Sequence, residues 1–110
     1  MDDNSEKILE FFDANEERFS FIESILPIYI EELNKAIVIL KGAYAESNPK
    51  DFAAVTHKIK GSALTFGAKP IYTQCLRFED QLSNGETLAD IDLSVLLKAV
   101  DKVNQFDLRE

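Results

Sequence analysis

Between residues 19 and 44, apolar side chains recur at Phe19, Ile22, Leu26, Tyr29, Leu33, Ile37, Leu40 and Tyr44, in steps of three and four. Those steps trace one face of an α-helix and do not fit the period of two that a half-buried strand requires. A stripe this long has to be covered by other elements, so the chain is constrained to fold as packed helices. The helical stretch is predicted from about Glu16 to Ala45. Pro27 lies inside it and is expected to kink or interrupt it, because proline removes a backbone donor and crowds the preceding turn. Strand signals are nearly absent elsewhere: no alternating β-branched run is bounded by a tight hairpin turn.

Polar breaks divide the remaining sequence. A short first segment, SEKILEFFD, has Ser5 as its predicted N-cap. In ESNPKD, Asn48 is the predicted cap and Pro49 a first helical position, opening a helix from about Lys50 to Phe66. GAKP makes the next break, followed by a helix from about Lys69 to Ser83. SNGETLAD reads as a loop, and a last helix from about Asp92 to Phe106 turns Leu93, Leu96, Leu97, Val100 and Val103 inward. Connections this short make successive helices antiparallel neighbours, so the expected fold is an all-α, up-down bundle. No repeat, low-complexity tract or linker is visible, and residues 1–110 are expected to form a single domain.

Several function classes are excluded at this level. The net charge of −8 argues against a nucleic-acid partner. No apolar run approaches the ~18 residues of a membrane span, and the acidic start MDDNSEKILEFF is unlike a signal peptide. The single cysteine, Cys75, closes no internal disulfide, so a reducing, cytoplasmic setting is expected. There is no Walker loop, dinucleotide fingerprint, calcium loop or zinc constellation, so neither a nucleotide site nor a metal nor another cofactor is expected.

The only histidine, His57, sits in HKIKGSALTFGA, residues 57–68. At ~100° per residue, Phe52, Val55, Ile59, Ala63 and Phe66 fall within about ±40° of one direction, the predicted buried stripe. His57 lies roughly 160° from its middle and faces outward, with Gly61 and Leu64 stacked along the same face and Lys60 beside them. A lone surface histidine is ordinarily a solvated polar residue. Gly61 breaks that reading: a glycine inside a helix forfeits about 1 kcal/mol relative to alanine with no packing gain, which suggests close approach by another molecule. On the next helix, Ile71, Cys75, Phe78 and Leu82 form the central stripe. Glu79 falls roughly 60° off it, on the flank that can meet the histidine helix. A carboxylate accepting Nδ1–H would leave Nε2 as a free nucleophile. Attack on phosphorus by such a ring gives a labile phosphoramidate, which adjacent ammonium groups help to hold. Lys60 is placed for that task, Lys58 points away, and Lys69 and Arg77 contribute only if the helix packing brings them near.

These residues resemble the histidine-containing phosphotransfer (HPt) domain family. His57, Ile59, Lys60, Gly61, Ser62 and Ala63, then Phe66, Gly67 and Ala68, follow the family's motif, and the match continues through Ile71, Cys75, Leu76 and Glu79. The resemblance implies an antiparallel up-down four-helix bundle with an additional short N-terminal helix. It implies a phosphocarrier, not an autonomous enzyme, which takes a phosphoryl group from a receiver-domain aspartate and passes it to another receiver's aspartate. By the same resemblance His57 is the phosphoacceptor, Lys60 assists the phosphate, Gly61 lets the receiver approach and Glu79 orients the ring. Ala54, Lys58 and Leu64 are the further expected docking residues. The implied partners are response-regulator receivers, whose acidic pockets hold the Mg²⁺ of transfer, and a hybrid sensor histidine kinase. Two other readings stay open: a receiver- or kinase-docking module that carries no phosphate, and the phosphoacceptor domain of a chemotaxis-type kinase charged from ATP. A monomer is expected, although apolar residues assigned to the surface (Ile28, Ile30, Val38 and Leu64) leave a dimer open.

Overall fold

The computed structural model describes residues 2–106, and among them all regular structure is helical. Helix α1 runs Asp3–Phe11, α2 Phe19–Ala45, α3 Pro49–Phe66, α4 Lys69–Ser83 and α5 Ser94–Gln105, with short 3₁₀ turns at Glu16–Arg18 and Leu88–Asp90. Helix α3 packs against α2 and α4, and α5 closes the ring against α4 and α2. Cross-helix partners run in opposite senses: Tyr29 meets Phe66 while Tyr44 meets Phe52. Likewise Asn34 meets Asn104 while the Tyr44 hydroxyl donates to the Ile91 carbonyl. The architecture is the expected up-down four-helix bundle with a short N-terminal helix.

The ladder of α2 behaves as its spacing dictates. Ile22, Leu26, Tyr29, Leu33, Ile37 and Leu40 are buried, with Phe19 and Tyr44 half-buried at its ends. Three expectations are corrected. Helix α2 is not interrupted at Pro27, because buried residues on both sides (Ile22 and Leu26, then Tyr29 and Ile30) keep the chain on the core. Residues 16–18 form a separate 3₁₀ turn instead of the first turn of α2. Ile30, taken for a surface residue, is buried, because α2 touches both α3 and α5 and its covered arc is wider than one stripe.

The caps differ in one place. Asp2, not Ser5, caps α1, its Oδ1 accepting the Ser5 N–H at 2.7 Å. Asn48 caps α3 as expected, accepting from the Asp51 N–H at 3.1 Å, with Pro49 in the first turn. Helix α5 begins at Ser94, two residues late, because Asp92 instead accepts the Ser94 N–H at 2.8 Å. Part of SNGETLAD is ordered inward: Leu88 is buried in its 3₁₀ turn, held by a Thr87–Asp90 capping box.

Gly67 ties the N-terminal segment to the bundle. It ends α3 in the left-handed region, at φ 79° and ψ 18°, and the Ala68 N–H returns to the Ala63 carbonyl at 2.8 Å. A Cβ at this position would stand 2.9 Å from the Phe12 carbonyl oxygen. Phe12 packs edge-on against Tyr29, and Phe11 against Phe106, so the end of α1 covers this end of the bundle. Gly67→Ala combines left-handed strain with that collision and is expected to destabilise the fold by about 2 kcal/mol or more. A thermal midpoint lowered by roughly 10 °C is the expected readout. An unchanged midpoint would mean that the Phe12 backbone moves aside freely.

Candidate functional site

Helix α3 divides its residues as the angular reading requires. Phe52, Val55, Ile59 and Ala63 are buried, Phe66 is half-buried, and Thr56 is also fully buried. His57 stands on the outer face with its side chain 75% exposed. Gly61 is exposed beside it, and Leu64 is 65% exposed. Nothing lies within 4 Å of a Cβ built at Gly61, so no contact inside this molecule requires glycine there.

Helix α4 buries Ile71, Cys75 and Phe78 and turns Glu79 toward α3, where its side chain is 26% exposed. One carboxylate serves two partners. Glu79 Oε2 lies 3.3 Å from His57 Nδ1, and Glu79 Oε1 accepts from Lys60 Nζ at 2.5 Å. Burial pushes the Glu79 carboxyl upward, but the hydrogen bonds from Lys60 and His57 outweigh it and hold the group below its ordinary value. The hydrogen bond to Glu79 in turn raises Lys60 above the usual lysine value. An ionised carboxylate only accepts, so Nδ1 is the donor of this contact, and in the neutral ring the lone pair is then on Nε2, at the far side of an exposed ring.

The Lys60–Glu79 pair also sets a pH dependence. Lowered in the fold, Glu79 contributes stability above the unfolded carboxylate value of 4.5, and that contribution is lost as pH falls below it. Raised in the fold, Lys60 contributes below 10.5, and that share is lost as pH rises past it. Glu79→Gln is therefore expected to lower the urea midpoint at pH 7, with the gap to wild type closing as pH falls below 4.5. A gap that persists into strong acid would show that Glu79 acts on stability without its charge.

The other expected residues divide by side. Ala54 and Lys58 are exposed and line a shallow recess of about 240 Å³ with Ile39, Asp51 and Val55, on the α2 side of His57. Lys58 is thus turned away from Glu79, as read. Lys69 does not join the ring; it lies beyond Leu64, with Tyr72 and Arg18. Arg77 faces α5, in a cleft with Asp90, Asp92 and Val95. Lys60 alone among these lysines reaches the Glu79 carboxylate.

Two neighbours went unassigned in the sequence. Tyr72, half-buried, is close enough to Lys60 to raise its pKa, and Leu76 is 39% exposed. Tyr72, Leu76 and Glu79 are spaced by four and three, which marks a single α4 ridge beside the histidine helix. Cys75, one turn before Glu79, is on the core-facing flank of that ridge and fully buried; burial pushes its thiol up to about 12, so it is protonated near neutral pH. Among the described residues no group of three or more histidine, cysteine or acidic side chains is arranged to hold a metal ion.

The family model for the Hpt domain matches residues 24–106, about three-quarters of the chain, from the second turn of α2 to the end of α5. The chain belongs to the Hpt domain family. Hpt domains are histidine-containing phosphotransfer modules of phosphorelays, phosphocarriers and not enzymes of the usual kind. They act with receiver domains and kinases. No curated protein and no solved structure matches the chain. Among the described residues no helix is long and apolar enough to cross a membrane. The Hpt match includes every residue of the His57–Lys60–Glu79 cluster, while α1 and the 3₁₀ turn at Glu16–Arg18 precede it.

Proposed function

We propose that this Hpt domain accepts a phosphoryl group on His57 Nε2 from the aspartyl phosphate of a receiver domain and returns it to the aspartate of another. The Nε2 lone pair attacks phosphorus as the bond to the aspartate oxygen breaks, which leaves the donor's carboxylate free. The ring, holding its proton at Nδ1, becomes cationic, and Glu79 faces that charge. Lys60 neutralises the arriving phosphoryl oxygens, and Gly61 clears the approach. Ala54, Lys58 and Leu64 are the receiver's footing on α3. The chain needs no cofactor of its own; the Mg²⁺ of transfer belongs to the receiver's acidic pocket. Residues 1–110 act as one unit, as a monomer in the cytoplasm, downstream of a hybrid sensor kinase.

The observation that carries this reading is the Nδ1 contact between Glu79 and an otherwise exposed His57 ring, with Lys60 on the same carboxylate. The test is a transfer profile: receivers charged with labelled phosphate on aspartate, and separately an ATP-charged kinase domain, are mixed with the chain. Rapid transfer from one or a few receivers, giving an acid-labile and base-stable adduct, is the expected outcome. Charging by the kinase domain alone would instead assign the chain to the chemotaxis-type role. Receiver binding without label would leave a docking module.

A further inference from the structure

Beyond Leu64, where the end of α1 crosses the α3–α4 turn, Phe12, Asp13, Arg18, Leu64, Gly67, Lys69 and Tyr72 enclose an open recess of about 270 Å³. We propose that this recess is a second docking point for the partner receiver, taking an apolar side chain flanked by carboxylates. The proposal rests on the receiver reading above and adds where, and by what chemistry, one receiver is chosen over others.

Size and charge select the occupant. The volume falls below the ~300–1,000 Å³ of pockets that engulf a metabolite or cofactor, and it suits one or two side chains. Its wall offers Leu64, 65% exposed, and the Tyr72 ring. Two cations, Arg18 and Lys69, stand at it against one carboxylate, Asp13, in a chain of net charge −8. Among the described residues, neither cation has a carboxylate within the 4.0 Å of an ion pair, so both charges are available to a partner. The Arg18 guanidinium is held 5.3 Å above the Phe21 ring, and Phe21 is itself 52% exposed, so further apolar surface lies beside this cation. Unpaired cations around exposed apolar surface fit an acidic partner with an apolar anchor, and they speed its encounter.

Position decides which partner. Leu64 is seven residues from His57 on one helix face, about 10 Å along the axis. A protein that brings an aspartate to His57 therefore overlies the recess. Phe12, Asp13 and Arg18 precede the segment that the Hpt family model matches. The recess is thus built partly from this chain's own N-terminal segment, where a partner preference can differ between family members that share the histidine motif.

The test uses the full chain with Arg18→Glu and Lys69→Glu combined, and Leu64→Ala as a second variant. Three quantities are measured: receiver binding by titration calorimetry, receiver-to-chain transfer at several salt concentrations, and labelling by phosphoramidate, a small donor that needs no docking. The expected result is receiver binding weakened at least tenfold and a flatter salt dependence in the charge-reversed form. Leu64→Ala should weaken binding several-fold, and phosphoramidate labelling of the charge-reversed form should stay within twofold of wild type. Wild-type binding and salt dependence in both variants would overturn the docking proposal while leaving phosphotransfer intact. Receiver binding that the variants abolish, in a chain that takes no label from any donor, would overturn the phosphotransfer reading and leave the docking point standing. A concentration-dependent dimer that the variants dissociate would make a second copy the occupant and overturn the proposal.

Discussion

His57→Gln is expected to take no acid-labile label from any phosphorylated receiver, under conditions in which the wild-type chain is labelled. Glutamine keeps similar length and can still donate to Glu79, but its amide nitrogen has no lone pair free for attack on phosphorus. The fold should not suffer: the His57 side chain is 75% exposed, and among the described residues it hydrogen-bonds to Glu79 alone. Surface substitutions of this kind ordinarily shift stability by about 0.5 kcal/mol or less. The measurement is labelled transfer followed by acid and base treatment, with thermal unfolding as the control for integrity. Equal labelling of the variant would place the phosphoacceptor elsewhere in the chain and remove His57 from the mechanism. Labelling that survives acid would likewise point to a phosphoester and not to a histidine.

Much of this site was legible because it depends on helical angles within one element. The outward turn of His57, Gly61 and Leu64 follows from the 3.6-residue period and from the burial of Phe52, Val55, Ile59 and Ala63 on the other side. The Glu79 contact was legible only in part: its flank position on α4 allows either a contact with His57 or a solvated carboxylate, and the packing of α4 on α3 decides for the contact. What the sequence did not reveal is that Lys60 shares that carboxylate. The reach of a long side chain across an interface depends on the spacing and crossing of two helices, and no periodicity contains either. Ile30 was misplaced for a related reason: a helix covered by two neighbours buries a wider arc than its main stripe indicates. Pro27 does not interrupt α2, because the local rule concerns lost backbone bonds, whereas apolar burial on both sides keeps the helix continuous across it. The recess beyond Leu64 was invisible because Phe12 and Gly67 are 55 positions apart in sequence and meet only through tertiary packing.

In the transfer we propose, the shared carboxylate gives Lys60 two employments. Its ammonium is bound to Glu79 in the structure, and the arriving phosphoryl oxygens would be a competing and more highly charged acceptor. Glu79 would then face the newly cationic ring, so each charge that the proposed transfer creates would meet one already in place.

Gly61→Gln separates the needs of the fold from those of the partner. A Cβ at Gly61 meets nothing within 4 Å, and the helix around it favours glutamine over glycine by about 0.5–1 kcal/mol. The variant should therefore unfold at an equal or higher temperature than wild type. A side chain on the approach to His57 should nevertheless obstruct a receiver, lowering transfer at least tenfold while phosphoramidate, which is small, still labels the ring. Gly42 supplies the matched control: it too lies inside a helix, on α2, is exposed, and has nothing within 4 Å of a built Cβ. Gly42→Gln should give a comparable gain in stability with transfer unchanged. If Gly61→Gln transfers normally, the glycine is not a clearance and the receiver does not approach across this turn of α3. If instead it unfolds more easily than wild type, a constraint within the helix, and not the partner, holds glycine at position 61. Only a gain or no change in stability together with a loss of receiver transfer is consistent with a partner that presses against the helix backbone one turn from the histidine.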